Sequence, residues 1–206
     1  LDGGSFSIDN LFINRPTEDN IGLFGYIRGA EITNLNFITP TITGRNNTGV
    51  LAGEIDNTTL VNIQIKTPNL TGGTYTGSLA GKIYSSDLTR IVSTGGTITG
   101  TDRTGGLVGY MDTSSLDEGV DQSTVTGTSE VGGLVGYANS NTAMRDSYFY
   151  GEIQGNGTNI GGLVGYVLDT ASTIERSYAA TNLLPTTTYS GGLVGRGNTI
   201  VNDSYW

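Results

Sequence analysis

The chain has 206 residues, among them 33 Gly, 31 Thr and 17 Asn, with no Cys and no His. This composition excludes zinc fingers, haem and iron–sulfur ligation, disulfide staples and any Cys–His or Ser–His–Asp nucleophile. A net charge of −9 and a pI near 4.3 disfavour nucleic acid as a partner, and no apolar run approaches the ~20 residues of a membrane helix.

In chain order, the elements repeat. A glycine motif opens as Ile21-Gly22-Leu23-Phe24-Gly25, continues as Gly49-Val50-Leu51-Ala52-Gly53 and Gly77-Ser78-Leu79-Ala80-Gly81, and settles to Gly-Gly-Leu-Val-Gly at 105–109, 132–136, 161–165 and 191–195. Its central leucines are Leu23, Leu51, Leu79, Leu107, Leu134, Leu163 and Leu193, spaced 28, 28, 28, 27, 29 and 30 residues apart. A second strand-like run follows each leucine: Ile32–Phe37, Leu60–Ile65, Leu88–Val92, Met144–Phe149 and Ile174–Ala179. A third reads Thr41-Ile42-Thr43, Asn69-Leu70-Thr71, Thr97-Ile98-Thr99, Thr124-Val125-Thr126 and Glu152-Ile153-Gln154. Short alternating runs with Gly or Asn at their borders are strand signatures, and no helix-length window carries helical periodicity.

Three short strands cannot bury a core alone, but stacked coils bury the same columns at every level. The leucines form one inward column. Ile42, Leu70, Ile98, Val125 and Ile153 form a second, and Ile27, Ile55, Ile83, Met111, Ala138 and Val167 a third. The expected fold is all-β: a parallel β-solenoid of about seven coils of ~28 residues, three short strands per coil, roughly 35 Å long at ~4.8 Å per level. It is one domain over 1–206, with a partial coil at 1–22, six full coils over 23–192 and a partial coil at 193–206. The column Phe24, Ala52, Ala80, Val108, Val135, Val164 and Val194 is apolar where strict alternation points outward, so either the sheet turns there or the surface carries an apolar stripe. Loops are expected at Met111–Gln122 and Leu168–Ser172, and Gly and Asn are expected to supply positive-φ corners.

The segments Gly132–Tyr137, Ser147-Tyr148 and Gly151–Gly155, then Gly161–Tyr166, Ser177-Tyr178 and the closing Ser204-Tyr205-Trp206, resemble the GLUG-motif repeat family. The first three coils depart from it, with Val50 and Ser78 at the second glycine and Phe37 and Ile65 where Tyr is usual. The resemblance implies a right-handed solenoid from a bacterial surface protein. The family occurs in adhesins and in the non-catalytic repeat regions of immunoglobulin A proteases.

Three sets of residues are candidates for function. Tyr110, Tyr137 and Tyr166 share a column with Tyr26, Glu54, Lys82 and Arg196, so it faces solvent. An outward aromatic ladder binds a glycan or a protein surface, or simply braces adjacent strands. Thr41/Thr43, Thr97/Thr99 and Thr124/Thr126 present paired hydroxyls, as on ice-binding β-helices, until Asn69, Glu152/Gln154 and Leu183/Pro185 break the pattern. Asp112, Asp117, Glu118 and Asp121 supply oxygen ligands for calcium, although their spacing matches neither the EF-hand loop nor the glycine–aspartate nonapeptide repeat. They are also the only carboxylates dense enough for a polysaccharide-processing enzyme. Catalytic β-helices wall a cleft with long loops, whereas these coils are nearly uniform, so no catalysis and no resident cofactor are expected.

The expected role is therefore an extracellular, secreted or cell-surface module, serving adhesion or acting as a stiff spacer. Its partner is a glycan or a neighbouring surface protein. A chain that begins on Leu1 and stops in mid-coil at Trp206 is expected to be a segment whose flanking domains cover its open edges, with end-to-end self-association as the alternative.

Overall fold

A computed structural model of the chain describes residues 1–181, 183 and 188–206; Pro185 lies outside the described residues. The near-constant repeat length brings equivalent residues into register, and each strand pairs in parallel with its counterpart one coil away. No helix occurs among the described residues. The fold is an all-β parallel solenoid of about seven turns. Coils are numbered 1 to 7 by their leucines, Leu23 to Leu193.

Among the described residues, four sheets run along the solenoid, one more than the three-strand reading. A broad sheet comprises Ser7–Asp9, Glu31–Ile38, Thr59–Lys66 and Asp87–Thr94, then the split pairs beginning with Ser115–Asp117 and Val120–Asp121. A threonine sheet stacks, among the described residues, six short strands from Phe12–Asn14 to Glu152–Gly155. A tyrosine sheet stacks seven strands from Phe24–Arg28 to Val194–Gly197. The additional short sheet is formed by Asp102–Gly105, Ser129–Gly132, Ile160–Gly161 and Ser190–Gly191, immediately ahead of the glycine motif. Its strands are too short, and too interrupted by left-handed residues such as Arg103 and Glu130, to show alternation in the sequence.

The inward columns are as the periodicity requires. Leu51, Leu79, Leu107, Leu134 and Leu163 are fully buried, as are Ile42, Leu70, Ile98 and Val125, whereas Leu23 and Leu193 in the end coils are half-buried. Ala52, Ala80, Val108 and Val135 are also fully buried, which resolves the apolar column: the chain turns there, and no exposed stripe results.

The turn explains the motif. A Cβ on the first glycine would lie 2.2 Å from the Val108 carbonyl oxygen at Gly105 and 2.1 Å from that of Val135 at Gly132. On the last glycine it would strike the preceding coil's short sheet, 2.6 Å from Thr76 N at Gly109 and 2.5 Å from Arg103 C at Gly136. These glycines are required for close backbone approach, not for positive φ. The left-handed corners fall instead to side chains that stack in columns, such as Asn34, Asn62, Arg90, Glu118, Asp146 and Arg176, and to few glycines.

Met111–Gln122 is not a loop. Ser115–Asp117 pairs with Asp87–Thr89, Val120 with Val92, and Leu116 is fully buried. Asp112, Ser115 and Asp117 are the outward residues of ordinary strands, Ser114 belongs to a buried hydroxyl ladder in which Ser86 N donates to Ser114 Oγ at 3.0 Å, and Asp121 turns inward. Leu168–Ser172 does leave the strands, with Leu168 exposed.

Candidate binding faces of the solenoid

Parallel register brings Tyr110, Tyr137 and Tyr166 together as the sequence spacing requires. The Tyr110 and Tyr137 rings stack at 5.5 Å between centroids, and Tyr166 tilts by 48° against Tyr137 at 5.1 Å. Two tyrosines absent from the sequence reading join them. Tyr75 meets Tyr110 edge to face at 5.8 Å, and Tyr84 tilts against it at 5.6 Å. Tyr75 and Arg103 project from the left-handed bend before the glycine motif, which carries their side chains onto the tyrosine sheet.

Cations cover the ring faces. The Arg103 guanidinium lies 5.1 Å from the Tyr75 centroid and 4.7 Å from that of Tyr137; Lys82 Nζ lies 4.3 Å from Tyr75, and Arg196 is 5.8 Å from Tyr166. Arg103 is held by Glu130 at 2.6 Å and donates to Tyr75 Oη at 2.5 Å. Tyr110 Oη donates to Asp112 Oδ2 at 3.2 Å and accepts from Asn139 Nδ2 at 3.1 Å. Desolvation, reinforced by nearby carboxylates, pushes the Tyr84 and Tyr110 hydroxyls up to about 12. The ladder is half-buried, and Tyr75, Tyr110 and Tyr137 have neighbours on faces or hydroxyls that a ligand would otherwise use.

A second tyrosine column stands on the broad sheet. Tyr148 pairs with Tyr178, and Tyr178 with Tyr205. The Tyr148 and Tyr178 rings stack at 5.1 Å and 3°. Tyr178 is exposed, as are Tyr205 and the neighbouring Tyr150. Among the described residues, no cation lies over these rings and no side chain hydrogen-bonds their hydroxyls. The Ser-Tyr dipeptides signal this column: Ser147 and Ser177 turn inward, Ser147 N donating to Ser177 Oγ at 3.2 Å, so the next residue points out.

On the threonine sheet, Thr41, Thr43, Thr97, Thr99, Thr124 and Thr126 all flank buried residues and face outward. Thr97 pairs with Thr124 and Thr99 with Thr126, while Asn69 separates Thr41 from Thr97. Exposed Phe12 bounds the column at one end and Glu152 at the other.

The four acidic candidates separate. Asp112 joins the tyrosine ladder, Asp117 faces Arg145 at 3.9 Å on the broad sheet, and Glu118 pairs with Arg90 at 3.2 Å. Asp121 is fully buried, and desolvation pushes its carboxyl up to about 7. Among the described residues, no three acidic side chains converge on one point.

The comparisons with known proteins concern fold and one short stretch. No family model matches the chain. Over 54 residues, 26% of this chain, it is 43% identical to Halomucin from Haloquadratum walsbyi (strain DSM 16790 / HBSQ001), of which that match covers 1%. The fold is similar to the crystal structure of a "putative immunoglobulin A1 protease" from Bacteroides ovatus, with a TM-score of 0.59 and 15% identity over 98% of this chain and 68% of that one.

Proposed function

We propose that this chain is a non-catalytic repeat module of an extracellular surface protein. It acts as a stiff spacer and offers its broad sheet, through Tyr148 and Tyr178, to a glycan or a neighbouring protein. The observation carrying the spacer reading is the continuity of the ladders. The broad and tyrosine sheets hydrogen-bond through every coil, and no long loop walls off a cleft among the described residues. Such a solenoid bends little because its levels share one core. The fold likeness to a protein named a "putative immunoglobulin A1 protease" and the local match to Halomucin support an extracellular setting.

The contact reading rests on the difference in accessibility between the two tyrosine columns. The rings of Tyr110, Tyr137 and Tyr166 are enclosed by each other and by cations, whereas Tyr178 and Tyr150 stand free on the surface. A glycan and surface-protein array tests it, with binding retained by the Tyr137→Phe variant and lost in Tyr148→Ala/Tyr178→Ala. No binding by the wild-type chain would leave the spacer role as the whole function. Small-angle scattering tests that role: a rod profile supports it, and a flexible chain overturns it.

A second reading is favoured by the Thr97–Thr124 and Thr99–Thr126 pairing, which sets four hydroxyl-bearing side chains on adjacent levels of one face. An ice-binding surface would use them, and a thermal-hysteresis measurement decides it at once. At the ends, exposed Phe6 and Phe12 on one side and Tyr205 and Trp206 on the other are places for flanking domains or a second copy to dock. Light scattering across a concentration series distinguishes self-association from a monomer.

A further inference from the structure

Two interior columns face each other behind the glycine turn. One is the residue before each leucine; the other is the broad-sheet column Ile65, Ser93, Asp121, Phe149 and Ala179, paired level by level. A Cβ on Gly133 would lie 2.3 Å from the Phe149 ring, and one on Gly106 would lie 2.6 Å from Asp121 Cγ, so the columns touch across the core. In coil 2, Val50 and Ile65 together bring seven side-chain heavy atoms to this space, and in coil 5 Gly133 and Phe149 bring the same seven. In coil 6, Ala179 is small but lies between the Phe149 and Trp206 levels.

Coils 3 and 4 differ. Ser78 with Ser93, and Gly106 with Asp121, bring four heavy atoms each, and the side chains are polar. All three side-chain-bearing residues of coils 3 and 4 at these positions are fully buried. Ser123 N and Ser123 Oγ both donate to Asp121 Oδ1, at 2.8 and 2.6 Å. Asp121 Oδ2, Ser93 Oγ and Ser78 Oγ make no hydrogen bond of good geometry, although the Ser93 hydroxyl lies close enough to Asp121 to hold its carboxyl down against desolvation. Ser93 pairs directly with Asp121, and Ser78 N donates to Gly106 O at 3.1 Å, which places the three residues on two adjacent levels of the core. Buried polar atoms without partners are costly, and an isolated buried carboxylate more so, unless something pairs with it.

We propose that coils 3 and 4 enclose an internal site for one small monovalent cation, sodium being the simplest, held by Asp121 Oδ2 with the hydroxyl oxygens of Ser78 and Ser93. All the donors are hard oxygens, which suits such an ion. The single carboxylate balances one positive charge, whereas calcium sites commonly gather several carboxylates around the ion. The groups against Asp121 are Ser93, Gly106, Ser123 and Phe149; no charged side chain among the described residues contributes to its environment. The missing carbons leave room, and the carboxylate supplies the reason for the ion to enter.

The test is thermal melting of the full chain at about pH 8 and about 150 mM ionic strength, in sodium chloride against choline chloride, which keeps screening equal. An ion present at tenfold its Kd raises the melting temperature by about 3–5 °C over choline. Asp121→Asn abolishes that difference, and Glu118→Gln, on the surface, retains it. Should Asp121→Asn fail to fold, Ser78→Val/Ser93→Ile provides the second arm: it restores the carbons of coil 2, and the sodium effect is lost. Coincident wild-type melts in sodium and choline overturn the proposal. Full retention of the sodium effect in either folded interior variant overturns it equally.

Discussion

The two tyrosine columns are built by the same repeat and end in different states. On the tyrosine sheet, Tyr110 and Tyr137 are stacked, Arg103 lies over Tyr137, and Tyr110 Oη is bonded to Asp112 and Asn139. On the broad sheet, Tyr148 and Tyr178 also stack, but Tyr178 remains exposed. The source of the difference is a neighbouring element. The short sheet folds back against the tyrosine sheet and delivers Tyr75, Arg103 and Glu130 from its left-handed bend. Among the described residues, no such element overlies the broad sheet. An aromatic ladder in a solenoid is therefore scaffold or contact surface according to what the adjacent turn places over it.

The strongest way to break this contrast is to force the turn open. Gly133→Ala puts a methyl 2.2 Å from the Gly162 carbonyl oxygen and 2.3 Å from the Phe149 ring, both deep inside. Overpacking of this kind costs about 1–3 kcal/mol or more, and because backbone must move the upper end is expected. Urea unfolding measures it, and near-ultraviolet dichroism should report disordered tyrosines as the ladder loses its register.

Alkaline pH attacks the ladder chemically. Tyr84 and Tyr110 ionise near 12 in the folded chain, above the ordinary 10, because burial opposes the phenolate. The folded state then holds protons that the unfolded state releases, so their contribution to stability is complete below pH 10 and is lost as pH rises toward 12. Absorbance titration at 295 nm should show these phenols among the last to ionise, and Tyr110→Phe should flatten the stability loss. A smaller effect is expected from Arg103→Ala. It removes a cation from two rings and leaves Glu130 unpaired, at about 1 kcal/mol given the part-exposed setting. Unfolding in low and high salt should show that loss shrinking as salt rises.

Much of this contrast is hidden in the sequence, although the solenoid is not. A column three residues after each leucine is legible because parallel register preserves spacing, and this suffices to bring Tyr110, Tyr137 and Tyr166 together. The short sheet is not legible: Asp102–Gly105 shows no alternation, and its effect on the tyrosines is exerted by residues 34 or more positions away, as in Arg103 beneath Tyr137 and Tyr75 against Tyr110. Composition misleads at Met111–Gln122, where outward Asp and Ser residues resemble a loop although Leu116 holds the core. Asp121 looks like one of four clustered carboxylates, yet alternation turns it inward while Asp117 and Glu118 stay at the surface.

The most direct measurement is a pair of substitutions, Tyr137→Ala and Tyr178→Ala, compared by urea unfolding in the same buffer. Tyr137→Ala removes a half-buried ring and its contacts with Tyr110, Tyr166 and Arg103, and is expected to cost about 2–3 kcal/mol. Tyr178→Ala removes an exposed ring stacked on Tyr148 and is expected to cost less than about 1 kcal/mol. Equal losses, or a larger loss at Tyr178, would contradict the division of the two ladders into scaffold and contact surface.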